Sequence, residues 1–488
     1  MEKKGKIKKL LLINPSRQGL GGLTQDESIR MMPLALGIVA ALTPEDWEIE
    51  LLDENYEPFN YTEADLVGFT AFTANAPRAY EIASVYRDAG IHTVMGGVHA
   101  SMCTEEAMQF MDTIISGEAE TSWPAFIKDL ESGTPKNLYI GQLAEVDEIP
   151  FVRRDIYDKY PYVYDLVQTS RGCPMGCDFC SVTQMCGKTY RERKIEDVLN
   201  ELEQTNRSLL FFVDDNLINQ KKGAQERAIE LFKGMVERKM NKLWLSQAAL
   251  NFADNEDVLK WARKSGCIMI LLGVEAEKVD ALKDMKKNLN LKKGVDSYEL
   301  IFRKVHKHGI GILASMIFAL ESDTLQDLFN RRDFIKNSSV DSYQVTILTP
   351  LPGTALYDRM KQNNRFVYDN YPNDWRLYDG TKSVLEMPHL TTSQISKSME
   401  EIWLSLYSKE PVRKRLFRTL WRTRSFKTTY WSYGINHAYS RMCLEGIYNI
   451  DHDSKGKTRS LYLKITDKLV WLFYQLAWRG ITKSFAGK

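Results

Sequence analysis

The stretch TSRGCPMGCDFCSV, residues 169–182, places Cys173, Cys177 and Cys180 within eight positions, with Phe179 directly before the last of them. Three thiols at this spacing can hold a metal, and their number is informative. A structural zinc site takes four ligands, usually in two pairs, and the nearest fourth thiol is Cys186. A four-iron four-sulfur cluster held by only three thiolates has one iron without a protein ligand, whereas electron-transfer clusters are closed by four. The open iron can bind a small molecule. Polar residues also stand where apolar runs end: Asp214, Asp215 and Asn216 after FFV, Ser246 and Gln247 within WLSQAAL, and Glu275 in LLGVEA. A carboxylate at such a place can receive an ammonium through a charge-assisted hydrogen bond, or be no more than a solvated turn acid or a cap.

The elements that must position these groups are strands alternating with helices. DLVQTSRG, SLLFFVDD, KLWLSQAAL, CIMILLGVE, IGILASMIFAL and SYQVTILTPLPG read as six strands, with helical segments such as GAQERAIELFKGMVERK and YELIFRKVHKHG between them. Six βα units over residues 166–390 imply a partial (β/α)6 TIM-type barrel, with its chemistry at the strand C-termini. The first 147 residues show the same alternation in KKLLLINPS, WEIELLDEN, LVGFTAFTA, TVMGGVHAS and TIISGEAE, so a doubly wound, Rossmann-like α/β domain is expected there. Its ligand edge lies where the strands end, at Asn14, Ser16, Thr70, Gly96, Gly97, His99 and Gly117. Residues 148–165 read as a linker, and 391–488 as a helical C-terminal region without strand signals.

Cys173, Cys177, Phe179 and Cys180 match the CxxxCxxC signature of the radical S-adenosylmethionine (SAM) enzymes, and residues 166–390 resemble that superfamily. The resemblance implies that SAM chelates the open iron. It further implies that a flavodoxin- or ferredoxin-type donor reduces the cluster, which cleaves SAM to a 5′-deoxyadenosyl radical. Asp214, Asp215 and Asn216 then fall where the family receives the methionyl ammonium, and Ser246, Gln247 and Glu275 where it contacts the carboxylate or ribose. MPLALGIVAAL, LLDEN, VGFTAFT, VMGGVHAS and ISGEAE, followed directly by the cluster domain, resemble the cobalamin-binding branch. That branch implies a cobalamin held near Asn14, Ser16, Thr70, Gly96, Gly97, His99 and Gly117. The DxHxxG histidine that many cobalamin proteins use as lower ligand is missing, because the loop after the first strand reads NPSRQGLGG. His99, beside two glycines, is either a hydrogen-bonded turn residue or a substitute ligand. Gly117, with Glu118 and Glu120, either edges the cofactor or faces the domain interface instead.

Lys and Arg total 65 against 64 Asp and Glu, so no global charge points to nucleic acid. Seven cysteines, three of them crowded, fit a reducing compartment, and the basic start carries no secretory signal pattern. A cytoplasmic protein is expected. VRKRLFRTLWRTRSFK sets Arg413, Lys414, Arg415, Arg418, Arg422, Arg424 and Lys427 among aromatics. Such a helix either lies peripherally at the inner face of a membrane or packs its aromatic face on the barrel. The resemblance points to a C-methyltransferase acting on an unactivated carbon of a hydrophobic, lipid, isoprenoid, tetrapyrrole or natural-product substrate. Alternatives are oxidative cyclisation or carbon–carbon bond formation with the same cofactors, and a non-catalytic iron-sulfur module.

Overall fold

In the computed structural model, which describes residues 8–16 and 30–450 and side chains as far as residue 442, the apolar runs of the first third become one parallel sheet. Its strands are β1 (Lys8–Asn14), β2 (Trp47–Asp53), β3 (Leu66–Thr70), β4 (His92–Gly96), β5 (Thr113–Ser116) and β6 (Leu138–Ile140), in the order β2-β1-β3-β4-β5-β6. Leu10, Leu11, Leu12 and Ile13 are fully buried, which is why β1 reads as a continuous apolar run: helices cover both faces of the sheet. The chain leaves β1 toward β2 and then returns to place β3 on the other side. The strand order therefore reverses between β1 and β3, and a crevice opens at their C-terminal ends. β6 is an edge strand of three residues that the sequence does not announce.

A second sheet holds β7 (Asp165–Val167), β10 (Leu209–Phe212), β11 (Leu243–Ala248), β12 (Cys267–Glu275), β13 (Gly311–Phe318) and β14 (Ser342–Ile347), all parallel in the order β14-β13-β12-β11-β10-β7. This is the expected six-stranded partial barrel. Between β7 and β10 a small antiparallel pair, β8 (Ser170–Arg171) and β9 (Arg191–Glu192), joins Arg171 to Arg191. It ties together the two ends of the cysteine segment.

The expected linker is packed rather than slack. The Tyr157 hydroxyl donates to the Pro33 carbonyl at 2.8 Å, the Tyr160 hydroxyl accepts from Asp53 N at 3.0 Å, and the Tyr162 hydroxyl bonds the Asp53 carboxylate. Tyrosine rings supply apolar area and a polar tip together, so this connection buries against the first sheet without orphaned groups. At the other end of the chain, helices Thr392–Tyr407, Lys409–Thr423 and Phe426–Ile450 follow the barrel. They lie at the end where the strands begin, since the Thr428 and Thr419 hydroxyls donate to Gly309 O and Asp341 Oδ1 at 2.7 Å each. One compact unit runs to Leu444. Among the described residues no helix is long and apolar enough to cross a membrane.

Candidate active site

The cysteine loop leaves the C-terminal end of β8 through Gly172, whose φ of +87° suits glycine and whose added Cβ would stand 2.3 Å from the Thr189 carbonyl. Asp178, between the second and third cysteines, accepts from Lys286 and Arg359 at 2.9 Å each, and its carbonyl accepts from Leu356 N at 3.0 Å. The barrel thus clamps the loop from two directions. All three thiols are partly buried, and burial pushes each of them up, Cys180 to about 11. Thiolates at this place need a compensating positive charge, which iron supplies. Among the described residues no three Cys, His, Asp or Glu side chains are already gathered as a metal centre, so the fit rests on donor type, spacing and loop.

The acids after β10 divide into two roles. Asp214 is fully buried and its carboxylate accepts from Thr169 N at 3.1 Å, from the Thr169 hydroxyl at 2.8 Å and from the Ser170 hydroxyl. Its oxygens are engaged in bracing the strand that leads into the cysteine loop, which leaves it less capacity to receive an ammonium than was expected. Asp215 keeps that capacity. Among the described residues its carboxylate accepts one bond, from Gly172 N at 3.0 Å, and burial pushes it up to about 6 against that amide's opposing pull. An ammonium beside it would favour the charged form. Asn216 accepts from Ala249 N at 3.0 Å while its buried Nδ2 has no partner among the described residues. Ser246 and Gln247 stand behind these residues, donating to Phe212 O at 2.8 Å and to Asp214 O at 2.9 Å.

Glu275 ends β12 at a bulge with φ +64°; it pairs with Lys287 Nζ at 2.7 Å and accepts from the Ser315 hydroxyl at 2.9 Å. Lys287 also lies 5.8 Å from the Phe179 ring. Burial opposes its charge, but Glu275, Cys177 and Cys180 outweigh that and raise it. Sequence reading missed this lysine, since KDMKKNLNLKKG offers five lysines and no pattern that singles one out.

The ligand edge of the first sheet opens into a cavity of about 230 Å3 running beneath helix Leu34–Leu42. Thr70, Gly96, Gly97 and Gly117 line it. At Gly97 (φ +89°) a Cβ would come within 2.7 Å of the Thr70 hydroxyl, and at Gly117 (φ +88°) within 2.3 Å of the Gly141 carbonyl. The floor is apolar, with Leu12, Val94 and Ile115, and the barrel contributes Gln168, Arg171, Met185 and Cys186 to the wall. Its glycine edges, apolar floor and place at the C-terminal ends of parallel strands match the edge of a flat cofactor, of which a space this size takes only a part. Cys186, the alternative zinc ligand, faces this cavity, and burial pushes its thiol up to about 12.

Three expected cobalamin residues do not line the slot. His99 is fully buried, with Nε2 3.0 Å from the Tyr80 hydroxyl and 3.3 Å from Glu106, and its ring packs edge-on against Trp375. It is a packing residue at the junction with the 353–378 segment, and its expectation as a substitute ligand is corrected. Asn14 accepts from Glu54 N through its carbonyl at 3.1 Å, and Ser16 N donates to Glu54 at 3.0 Å. The NPSRQGLGG loop beyond Ser16 lies outside the described residues.

Glu118 and Glu120 meet arginines of the cluster segment. Glu118 is 5% exposed and accepts from Ala144 N at 2.7 Å and from Arg191; Arg171 reaches Glu118 at 3.1 Å and Glu120 at 2.6 Å. These ion pairs join the ligand edge of the first sheet to the β8–β9 pair beneath the cysteine loop.

Residues 30–127 match the B12 binding domain family and residues 167–335 the radical SAM superfamily. The chain belongs to the radical SAM enzymes that carry a B12-binding domain, and the cofactors of these domains are a [4Fe-4S] cluster, SAM and cobalamin. It is 29% identical, over 84% of its length and 89% of the relative's, to the bacteriochlorophyllide d C-12(1)-methyltransferase of Chlorobaculum tepidum. It is 25% identical to the hopanoid C-2 methylase of Rhodopseudomonas palustris, over 71% of this chain and 68% of that one. Its fold matches that of the radical SAM methyltransferase TsrM from Kitasatospora setae, with a TM-score of 0.65, 13% identity, and coverage of 91% of this chain and all of the other.

Proposed function

We propose that this enzyme methylates an unactivated carbon of a hydrophobic small molecule of isoprenoid, lipid or tetrapyrrole type, drawing electrons from a flavodoxin- or ferredoxin-type donor. When bound, the cluster with SAM supplies a hydrogen-abstracting radical and cobalamin supplies a transferable methyl group. The chain's residues bind and orient. Asp215 offers a carboxylate to the methionyl ammonium, while Glu275, held by Lys287 and Ser315, presents its other lone pairs to hydroxyl donors. Thr70, Gly96, Gly97 and Gly117 edge the cobalamin slot, and the apolar floor excludes water.

The observation that carries the reading is the shared wall of that slot: Met185 and Cys186, on the segment that follows the cluster loop, face Gly97 and Gly117. The segment that follows the cluster loop therefore borders the slot, which supports a transfer between the two cofactors. The names of the two relatives point to the substrate class. The test is turnover with methyl-deuterated SAM and a tetrapyrrole or isoprenoid substrate. Label in the product and S-adenosylhomocysteine formed alongside 5′-deoxyadenosine are expected. An unlabelled product that has lost hydrogen would replace methylation with oxidative cyclisation.

A further inference from the structure

Helix Lys409–Thr423 is packed the opposite way from an ordinary amphipathic helix. Its buried side is Val412, Arg415, Thr419 and Thr423, with Arg415 donating to the Asn436 amide oxygen at 2.7 Å and to the Leu406 carbonyl at 2.5 Å. Its large apolar groups face outward: Phe417 is 69% and Trp421 85% exposed, and Phe426, across the turn that follows, is 80% exposed. Phe417 and Trp421 stand four residues apart and so share one helix face. Three aromatics at a solvated surface cost apolar hydration and call for an occupant.

The surroundings say which kind. Arg413, Lys414, Arg424 and Lys427 are exposed around the three rings, and Glu410, paired with Lys414 at 2.6 Å, is the acid of this helix. Trp421 also forms one wall of a cleft of about 1100 Å3 whose other walls carry Arg263, Arg303, Lys307 and His308. Of the acids at or beside it, Glu299 is bonded to Ser339 and Glu256 pairs with Lys307 at 3.2 Å. A second copy of this patch would meet it with like charge. Residues 445–488 carry more Lys and Arg than Asp and Glu, so the basic part of the patch finds no complement in their charge.

We propose that this face docks on an anionic lipid bilayer, with Phe417, Trp421 and Phe426 entering the headgroup region and the basic residues and cleft receiving lipid phosphates. The cleft lies where β13 and β14 begin, the end of the barrel opposite the cysteine loop. Docking there leaves the catalytic end facing away from the membrane, accessible to an electron donor. The proposal does not depend on the reaction being methylation.

The test is sedimentation of the full-length holoenzyme with phosphatidylglycerol and with phosphatidylcholine vesicles. Binding to the first alone is expected, weakening about fivefold for each exposed basic residue neutralised. The F417S/W421S/F426S variant should bind at least tenfold more weakly, with iron content and SAM cleavage unchanged because these side chains are exposed. No binding to phosphatidylglycerol, or binding that the triple variant leaves intact, would overturn the proposal. So would a dimer in solution that the triple variant dissolves, since the occupant would then be a second copy.

Discussion

Glu118→Gln is the substitution whose consequence can be worked furthest. The carboxylate is 4% exposed and meets Arg171 (8%) and Arg191 (13%), so solvent screens these pairs little. Removing the anion leaves Arg191 with the Ala144 and Cys186 carbonyls alone, whereas Arg171 retains Glu120. Losing one partner of a buried pair costs about 3–5 kcal/mol, and glutamine preserves volume and an acceptor, which places the cost near ~3 kcal/mol. That is about a hundredfold in the opening of the interface. Global unfolding of a multidomain chain is not two-state, so hydrogen exchange is the better readout. Peptides spanning residues 141–148 and 170–173 should lose protection, because Ala144 N donates directly to Glu118. In an Arg191→Gln background the same substitution should cost far less, since contacting residues are coupled. Unchanged exchange, or losses that simply add, would refute the interface role.

The same carboxylate sets a pH dependence. Burial works against the ionised Glu118, but Arg191, Arg171 and the Ala144 amide outweigh it and hold it below the ordinary 4.5. Its contribution is therefore full above that ordinary value and lost as pH falls through the lower folded value; the difference in exchange protection between wild type and Glu118→Gln should shrink on acidification. Gly97→Ala adds a Cβ 2.7 Å from the Thr70 hydroxyl at φ +89°, so corrinoid retention should fall while iron content holds, read by absorbance and metal analysis. Cys177→Ala should abolish both iron loading and reductive SAM cleavage. Lys287→Met leaves Glu275 without its cation and should weaken SAM binding at least tenfold by calorimetry.

The strands were legible because parallel strands buried on both faces are written as unbroken apolar runs, and LLLI, LLFF and CIMILL are such runs. The cysteine triad was legible because its ligands are close in sequence. Lys287, by contrast, pairs with Glu275 across twelve positions and a change of element, and Arg191 meets Glu118 across 73. Nothing local marks either partner. Asp214 and Asp215 are neighbours of identical type, and only the positions of Thr169, Ser170 and Gly172 separate a bracing acid from an available one. The packing of the linker tyrosines was not legible, because their burial depends on the Asp53 and Pro33 backbone brought from the first sheet. The aromatic face of helix Lys409–Thr423 fitted either outcome from its spacing. Contacts made by Arg415 and Thr419 turned it outward.

The iron, sulfide and corrinoid content of anaerobically purified protein, reconstituted with iron, sulfide and hydroxocobalamin, bears most directly on the two-cofactor assignment. About four irons with one corrinoid per chain are expected, the corrinoid lost in Gly97→Ala and the iron in Cys177→Ala. Four irons with no corrinoid would contradict it, leaving the slot beneath Leu34–Leu42 to another ligand.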